Sequence, residues 1–291
     1  MYLLIKLYVL IMHFGSTLRV YSLMRHARST RLLYAAPASF SHRASHTSST
    51  SSHQTPQQLY PGHVLTSPFQ KALLTGISAF AAIRDPARDD MICAMGEASG
   101  SCALSSIKKR MLANPDGQRI LQERPIISKE TVDLQYLSQL EEHTLGKAYF
   151  NFLNINGFDP DSRRPVQFVD DPELAYIMLR YRQMHDITHT ILDMKPNMLG
   201  EVAVKWYEAI QTGLPMCIAA AIGGPFRLGP KHRKIWSTQL FPWSIKNGFN
   251  SNFMLNLYVE NHWETPIEEL RARLGITTAP CNNVNSLNTK L

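Results

Sequence analysis

Asp171–Leu192 reads DPELAYIMLRYRQMHDITHTIL, and its reading decides the fold. Asp171 offers a carboxylate to the free amides at a helix start. Pro172 suits the first helical position, where an N–H would have no partner anyway, and Glu173 sets negative charge on the positive end of the dipole. Leu174, Ile177, Met178, Tyr181, Met184, Thr188, Ile191 and Leu192 then recur at helical spacing. Pro196 and Gly200 interrupt the pattern; Glu201–Gln211 resumes it with Val202, Val204, Trp206 and Ile210, ending at Gly213. A short break between two such segments implies a tight helical hairpin.

Working outward, the flanks read as further helices. Ser67-Pro68 opens Phe69–Ile83; Ser101–Leu112 stops at Asn114-Pro115; Asp116–Gln122 stops before Arg124-Pro125. Ser128–Leu137 and Thr144–Leu153 are each led by a hydroxyl cap, and Lys231–Lys246, Phe249–Glu260 and Pro266–Leu274 complete the set. Alternating strand patterns are scarce, and Asp116-Gly117 sits between helical stretches rather than in a hairpin. The expectation is one all-α domain over residues 66–278. Leu214–Phe226 (LPMCIAAAIGGPF) has two readings, close helix packing or an apolar bed for a lipid chain.

The chain has 291 residues, 44% hydrophobic and 18% charged, an ordinary globular balance. Cys93, Cys102, Cys217 and Cys281 form no CxxC pair, which argues against a disulfide scaffold or a cysteine zinc finger. Apolar runs beyond the leader are too short to span a bilayer. Of the 30 Lys and Arg, eight precede Asp85, where no acid occurs; the other 22 meet 23 acids, so the net +7 belongs to the leader. A nucleic-acid partner is therefore not expected, because such a domain concentrates its cations within the fold. Residues 1–65 are Arg-rich, Ser-rich and acid-free, the composition of a mitochondrial transit peptide with a linker, and 279–291 reads as a flexible tail.

The chemistry lies in His185-Asp186-Ile187-Thr188-His189. At about 100° per residue, His185, Asp186 and His189 occupy one arc of the helix, with the imidazoles about 6 Å apart in rise. Glu201 opens the next helix and folds back toward them. Two imidazoles and two carboxylates make an N₂O₂ site suited to Zn²⁺, and also to Fe²⁺ or Mn²⁺. A HExxH protease would carry Glu where Asp186 stands. An HD-type phosphohydrolase needs a distant downstream Asp, and Asp193 is the last aspartate of the chain.

His185-Asp186-x-x-His189, with Glu201 after eleven further residues, resembles the signature of the ubiquinone (coenzyme Q) biosynthesis protein 4 family. FVDDPELAYIMLRYRQMHDITHTIL, LGEVAVKWYEAIQTGLPMCI and LNLYVENHWETPIEELRARLGIT carry the same resemblance, as do TSPFQKALL and ILQERPIIS, over roughly residues 65–279. It implies a zinc-associated protein held peripherally on the matrix side of the mitochondrial inner membrane, with His185, Asp186, His189 and Glu201 as metal ligands. It also implies a carboxy-lyase, simple or oxidative, that removes the C1 carboxylate of 4-hydroxy-3-methoxy-5-polyprenylbenzoate to give 2-methoxy-6-polyprenylphenol. Asp186 and Glu201 are the candidate catalytic groups; Arg182 and Tyr181 are candidate substrate contacts. The expected partners are the other enzymes of the ubiquinone-building complex, the prenylated hydroxybenzoate, the inner-membrane lipid surface and a second copy of the chain. The competing reading is a scaffold that binds prenylated intermediates and whose metal is structural.

Overall fold

The computed structural model describes residues 58–85 and 88–280. Of the expected transit peptide and linker (1–65) and flexible tail (279–291), residues 1–57 and 281–291 lie outside the described residues. Within them every regular element is helical, apart from one isolated bridge between Thr144 and Pro266. The α-helices are α1 (Pro68–Arg84), α2 (Asp89–Ser99), α3 (Ser101–Leu112), α4 (Pro115–Glu123), α5 (Leu134–Gln139) and α6 (Leu145–Asn156). There follow α7 (Pro172–Leu192), α8 (Met198–Thr212), α9 (Pro215–Gly223), α10 (Pro230–Ile235), α11 (Phe241–Asn250) and α12 (Ile267–Leu274).

The central helix is α7. The Asp171 carboxylate accepts from the Glu173 and Leu174 amides at 2.8 and 3.2 Å, as its cap role requires. Its Ile177, Met178, Met184, Ile187, Ile191 and Leu192 are all buried, each worth about 1.5–3 kcal/mol of apolar transfer. These residues point in several directions, because α7 packs on α3, α6 and α8 together. A helix buried nearly all round can hold histidines and carboxylates only where they find partners.

Several expectations needed correction. α2 was not anticipated: it starts without a side-chain cap and carries Gly96 in its middle, so its local signal is weak. That glycine is demanded by packing, since a Cβ there would stand 2.2 Å from Met216 Sδ. Ser128 does not start a helix. Thr131 Oγ1 accepts from its amide at 3.0 Å, closing a turn, and α5 begins later under the Asp133 cap. Lys231–Lys246 is divided by a π-helical turn at Trp236–Leu240, where the Phe241 amide reaches back to the Trp236 carbonyl just before Pro242, which has no amide to give. Phe249–Glu260 is not one helix: α11 ends at Asn250 and two 3₁₀ turns follow. Buried Gln211 explains the break, accepting from the Met254 amide at 3.1 Å and donating to the Gly248 carbonyl at 2.8 Å.

The folded body begins before residue 66. Val64 donates its amide to the Gln167 carbonyl at 2.8 Å, Tyr60 donates its hydroxyl to Val169 at 2.7 Å, and buried His63 lies 3.2 Å from Asp170. At the other end Trp243 donates to the Thr277 carbonyl at 2.8 Å, and Ala279 is buried. Leu214–Phe226 supports the packing reading, because α9 lies on α8 and Gly224 abuts Val202.

Candidate metal centre

The α7–α8 corner builds the site. Asp193 ends α7 in the left-handed conformation (φ 53°), which turns the chain so that the Met194 carbonyl sits 3.0 Å from His189 Nδ1. Asn197 then caps α8 by accepting from the Gly200 amide at 2.9 Å. Gly200 is needed here: a Cβ would lie 2.0 Å from the Lys195 carbonyl oxygen. This close approach delivers Glu201, in the first turn of α8, onto the two histidines.

His185, His189 and Glu201 each offer a ligand atom, all within 4.8 Å of one another. Glu201 Oε1 is 3.2 Å from His189 Nε2, and Oε2 is 3.5 Å from His185 Nε2. The imidazoles stand edge to face, with centroids 4.7 Å apart. Phe152 of α6 stacks on His189 at 5.8 Å and gives the cluster an apolar wall.

The tautomers follow from what each Nδ1 meets. A carbonyl and a carboxylate can only accept, so His189 Nδ1–H donates to Met194, and His185 Nδ1–H donates to Glu208 Oε1 at 2.7 Å. In the neutral ring each Nε2 therefore carries a lone pair, and both lone pairs face the oxygens of Glu201. His189 Nε2 is buried and has no hydrogen-bond partner; its approach to Glu201 is not aligned as one. Acceptors facing acceptors call for a cation between them, so the residues fit a divalent metal. Without one, protons hold the cluster together. Burial alone would push the His185 pKa down, but the Glu208 carboxylate outweighs it, with Glu201 adding, and raises it to about 9. Burial would push Glu201 up, yet the two histidines hold it far below the usual carboxylate range.

Behind His185 lies a buried network. Glu208 Oε2 accepts from the Tyr181 hydroxyl at 2.7 Å and from Lys205 at 2.8 Å. Burial would lower the Lys205 pKa, but Glu208 drives it above the ordinary lysine value; Glu208 is itself held low by His185 and Lys205 against the cost of burial. Burial first, then the neighbouring Glu208, pushes the Cys217 thiol up to about 12, leaving it a neutral neighbour of Tyr181.

Residues 60–280 match the model of the coenzyme Q (ubiquinone) biosynthesis protein Coq4 family. The chain belongs to that family. It is 49% identical over 222 residues to the mitochondrial COQ4 homologue of Rattus norvegicus, covering 76% of this chain and 84% of the relative. The Homo sapiens homologue is 48% identical over the same shares, and that of Drosophila yakuba 49% identical over 72% of this chain and 79% of its own. A crystal structure of a protein from Nostoc punctiforme, named for ubiquinone biosynthesis, aligns with TM-score 0.59 at 19% identity. It covers 71% of this chain and 99% of its own and shows the shared fold.

Three of the four Coq4-motif ligands expected from the sequence come together. The fourth, Asp186, does not join them: its buried carboxylate is taken by Arg163 from the loop before α7. The two expected substrate contacts are also engaged elsewhere. Arg182 pairs with buried Glu97, whose other oxygen accepts from the Gln167 and Phe168 amides at 2.7 and 2.8 Å, so it ties α2 to that loop. Tyr181 is buried behind His185. Sequence reasoning passed over Glu208, although its place seven residues after Glu201 puts it on the same face of α8. Arg163 and Phe152 gave no signal, since only tertiary packing brings them here.

Proposed function

We propose that this Coq4-family chain is a mitochondrial metal-dependent carboxy-lyase of ubiquinone biosynthesis, acting on 4-hydroxy-3-methoxy-5-polyprenylbenzoate. The observation that carries it is the three-ligand cluster with one partly open side. His185 and His189 are buried to 12% and 1% exposure, whereas the Glu201 side chain is 35% exposed. Three protein ligands, two imidazoles and one carboxylate, leave a coordination position free, as in catalytic rather than closed structural zinc sites. A divalent ion, Zn²⁺ in our reading with Fe²⁺ or Mn²⁺ also suited to the donors, would supply Lewis acidity at the substrate carboxylate.

The residues supply the rest. Glu201 brings one negative charge against two from the histidine-held cation site, so an anionic carboxylate completes the balance. Phe152 offers a face for the ring. The para oxygen, once deprotonated, feeds density to C1, which takes a proton; the bond from C1 to the carboxylate carbon then breaks, its electron pair returns to the ring, and carbon dioxide leaves. Glu201 Oε2, 3.5 Å from His185 Nε2 where Oε1 is 3.2 Å from His189 Nε2, is the oxygen that would relay that proton from water to C1 without holding it at rest; Asp186 instead holds Arg163 at the edge of the site. An oxidative course would place a hydroxyl on C1, and product analysis with and without oxygen separates the two.

A prenylated substrate lives in a bilayer, and no described helix is long and apolar enough to cross one. The fitting alternative is an interfacial face. Phe69, Leu73, Ile77 and Phe80 form one stripe of α1, exposed by 52–75%, with Leu65 exposed beside it. Residues 58–84 contain no acid, and exposed Arg84 stands over the Phe80 ring at the end of the stripe. An acid-free apolar helix face suits the matrix-side lipid surface of the inner membrane. Association with the other enzymes of the pathway and with a second copy belongs to the same reading.

The test uses purified, metal-analysed full-length protein with a short-tailed prenylated 4-hydroxy-3-methoxybenzoate. Carbon dioxide release by the wild type, absent in a folded Glu201→Ala variant, is the expected result. A metal-loaded wild type that binds the substrate and never releases carbon dioxide would instead support the scaffold.

A further inference from the structure

Glu208 is a buried charge beside the cluster that the lyase chemistry does not use, and its surroundings explain why it is there. Its side chain is only 5% exposed, a costly place for a carboxylate unless both oxygens are engaged. They are. Oε2 is filled by the Tyr181 hydroxyl and the Lys205 ammonium, at 2.7 and 2.8 Å, which leaves Oε1 with one task, the His185 Nδ1–H at 2.7 Å. Lys205 also lies 3.3 Å from that same Nδ1. If the ammonium were the imidazole's partner, Nδ1 would carry the lone pair and Nε2 the proton, and the ring could not ligate through Nε2. The shorter contact to an oxygen that can only accept decides the other way.

We propose that Glu208 is a positioning residue for the metal: it fixes His185 in the tautomer whose Nε2 lone pair faces Glu201, and Lys205 with Tyr181 holds the carboxylate in register for this. The inference rests on reading the cluster as a metal site. It supplies for His185 what the Met194 carbonyl supplies for His189, an outer acceptor that sets ring orientation. The two acceptors differ in charge. The carboxylate makes His185 the more basic ligand, and the helix register that places Glu201 and Glu208 two turns apart lets one face of α8 contribute both a ligand and its support.

The experiment compares full-length wild type with Glu208→Gln and Glu208→Ala. Co²⁺ and Zn²⁺ affinities are read by chelator competition, the Co²⁺ visible bands report ligand geometry, and ¹⁵N-histidine spectra of metal-free protein above the raised His185 pKa, where the ring is neutral, report its tautomer. The expected result is a roughly 10–100-fold weaker affinity in both variants, with altered Co²⁺ bands and a shifted tautomer balance. Unchanged affinity, bands and tautomer in folded Glu208→Gln would overturn the proposal. A purely structural Glu208 would lower the melting temperature and leave those three readouts as in the wild type, which also overturns it. Failure of the wild type itself to bind Co²⁺ or Zn²⁺ would instead remove the metal reading beneath it.

Discussion

Among single residues, Asp186 separates what the motif implies from what the fold does with it. Its neighbours on α7 reach the cluster while its own carboxylate is spent on Arg163. Asp186→Asn is therefore expected to keep metal affinity within a few-fold and to cost about 1–2 kcal/mol of stability, the loss of one partly exposed charged pair. His189→Ala is expected to do the reverse: metal stoichiometry falls toward zero, while the metal-free fold is spared the burial of an unpartnered Nε2. Metal analysis and thermal melting of both variants check this, and a ligand role for Asp186 would make the two look alike. The motif residues were legible because i and i+4 share a helix face whatever surrounds them. What Asp186 faces was not, since the answer comes from a loop 23 residues upstream.

Elements were legible where local chemistry and tertiary packing agree. α7 and α8 carry caps, a first-turn carboxylate and clean stops, and both match the reading from sequence within a few residues. α2, with no cap and a central glycine, exists because α1 packs along it and Met216 of α9 fits against Gly96; Phe249–Glu260, apolar enough for a helix, is bent away by Gln211 from another helix. Two substitutions distinguish the roles of the corner. Asp171→Ala removes only the α7 cap and should cost about 1 kcal/mol, with metal affinity unchanged. Gly200→Ala forces the α7–α8 connection apart at the Lys195 carbonyl and should weaken metal binding more than it lowers the melting temperature. Equal metal affinity in Gly200→Ala and wild type would mean that Glu201 is not placed by that approach.

The whole molecule joins two features the sequence only half declared. Composition sets the excess positive charge ahead of the fold, and the extended segment before residue 66 makes contacts that no helical period betrays. His63 and Lys71 meet at Asp170, and their hydrogen bonds outweigh partial burial to keep that carboxyl below its usual range. A depressed folded pKa stabilises above the unfolded value, near 4, and is lost as pH falls through the folded one. Proteolysis between residues 58 and 67 should thus accelerate below about pH 4 in the wild type, and Asp170→Asn should show the acid rate already at neutral pH. On the opposite account, that of the exposed stripe, Leu73→Glu/Ile77→Glu should retain the wild-type melting temperature and no longer float with vesicles containing cardiolipin. Unaltered flotation would exclude that helix face as the lipid contact.

The central claim is that His185, His189 and Glu201 together hold one divalent cation. X-ray absorption at the zinc edge of purified full-length protein tests it most directly, combined with metal analysis of the same sample. The expected result is about one Zn²⁺ per chain with two imidazole nitrogens near 2.0–2.1 Å and oxygen neighbours, lost in Glu201→Ala. Sulfur in the first coordination sphere, or a metal content that is the same in wild type and in His189→Ala, would contradict it.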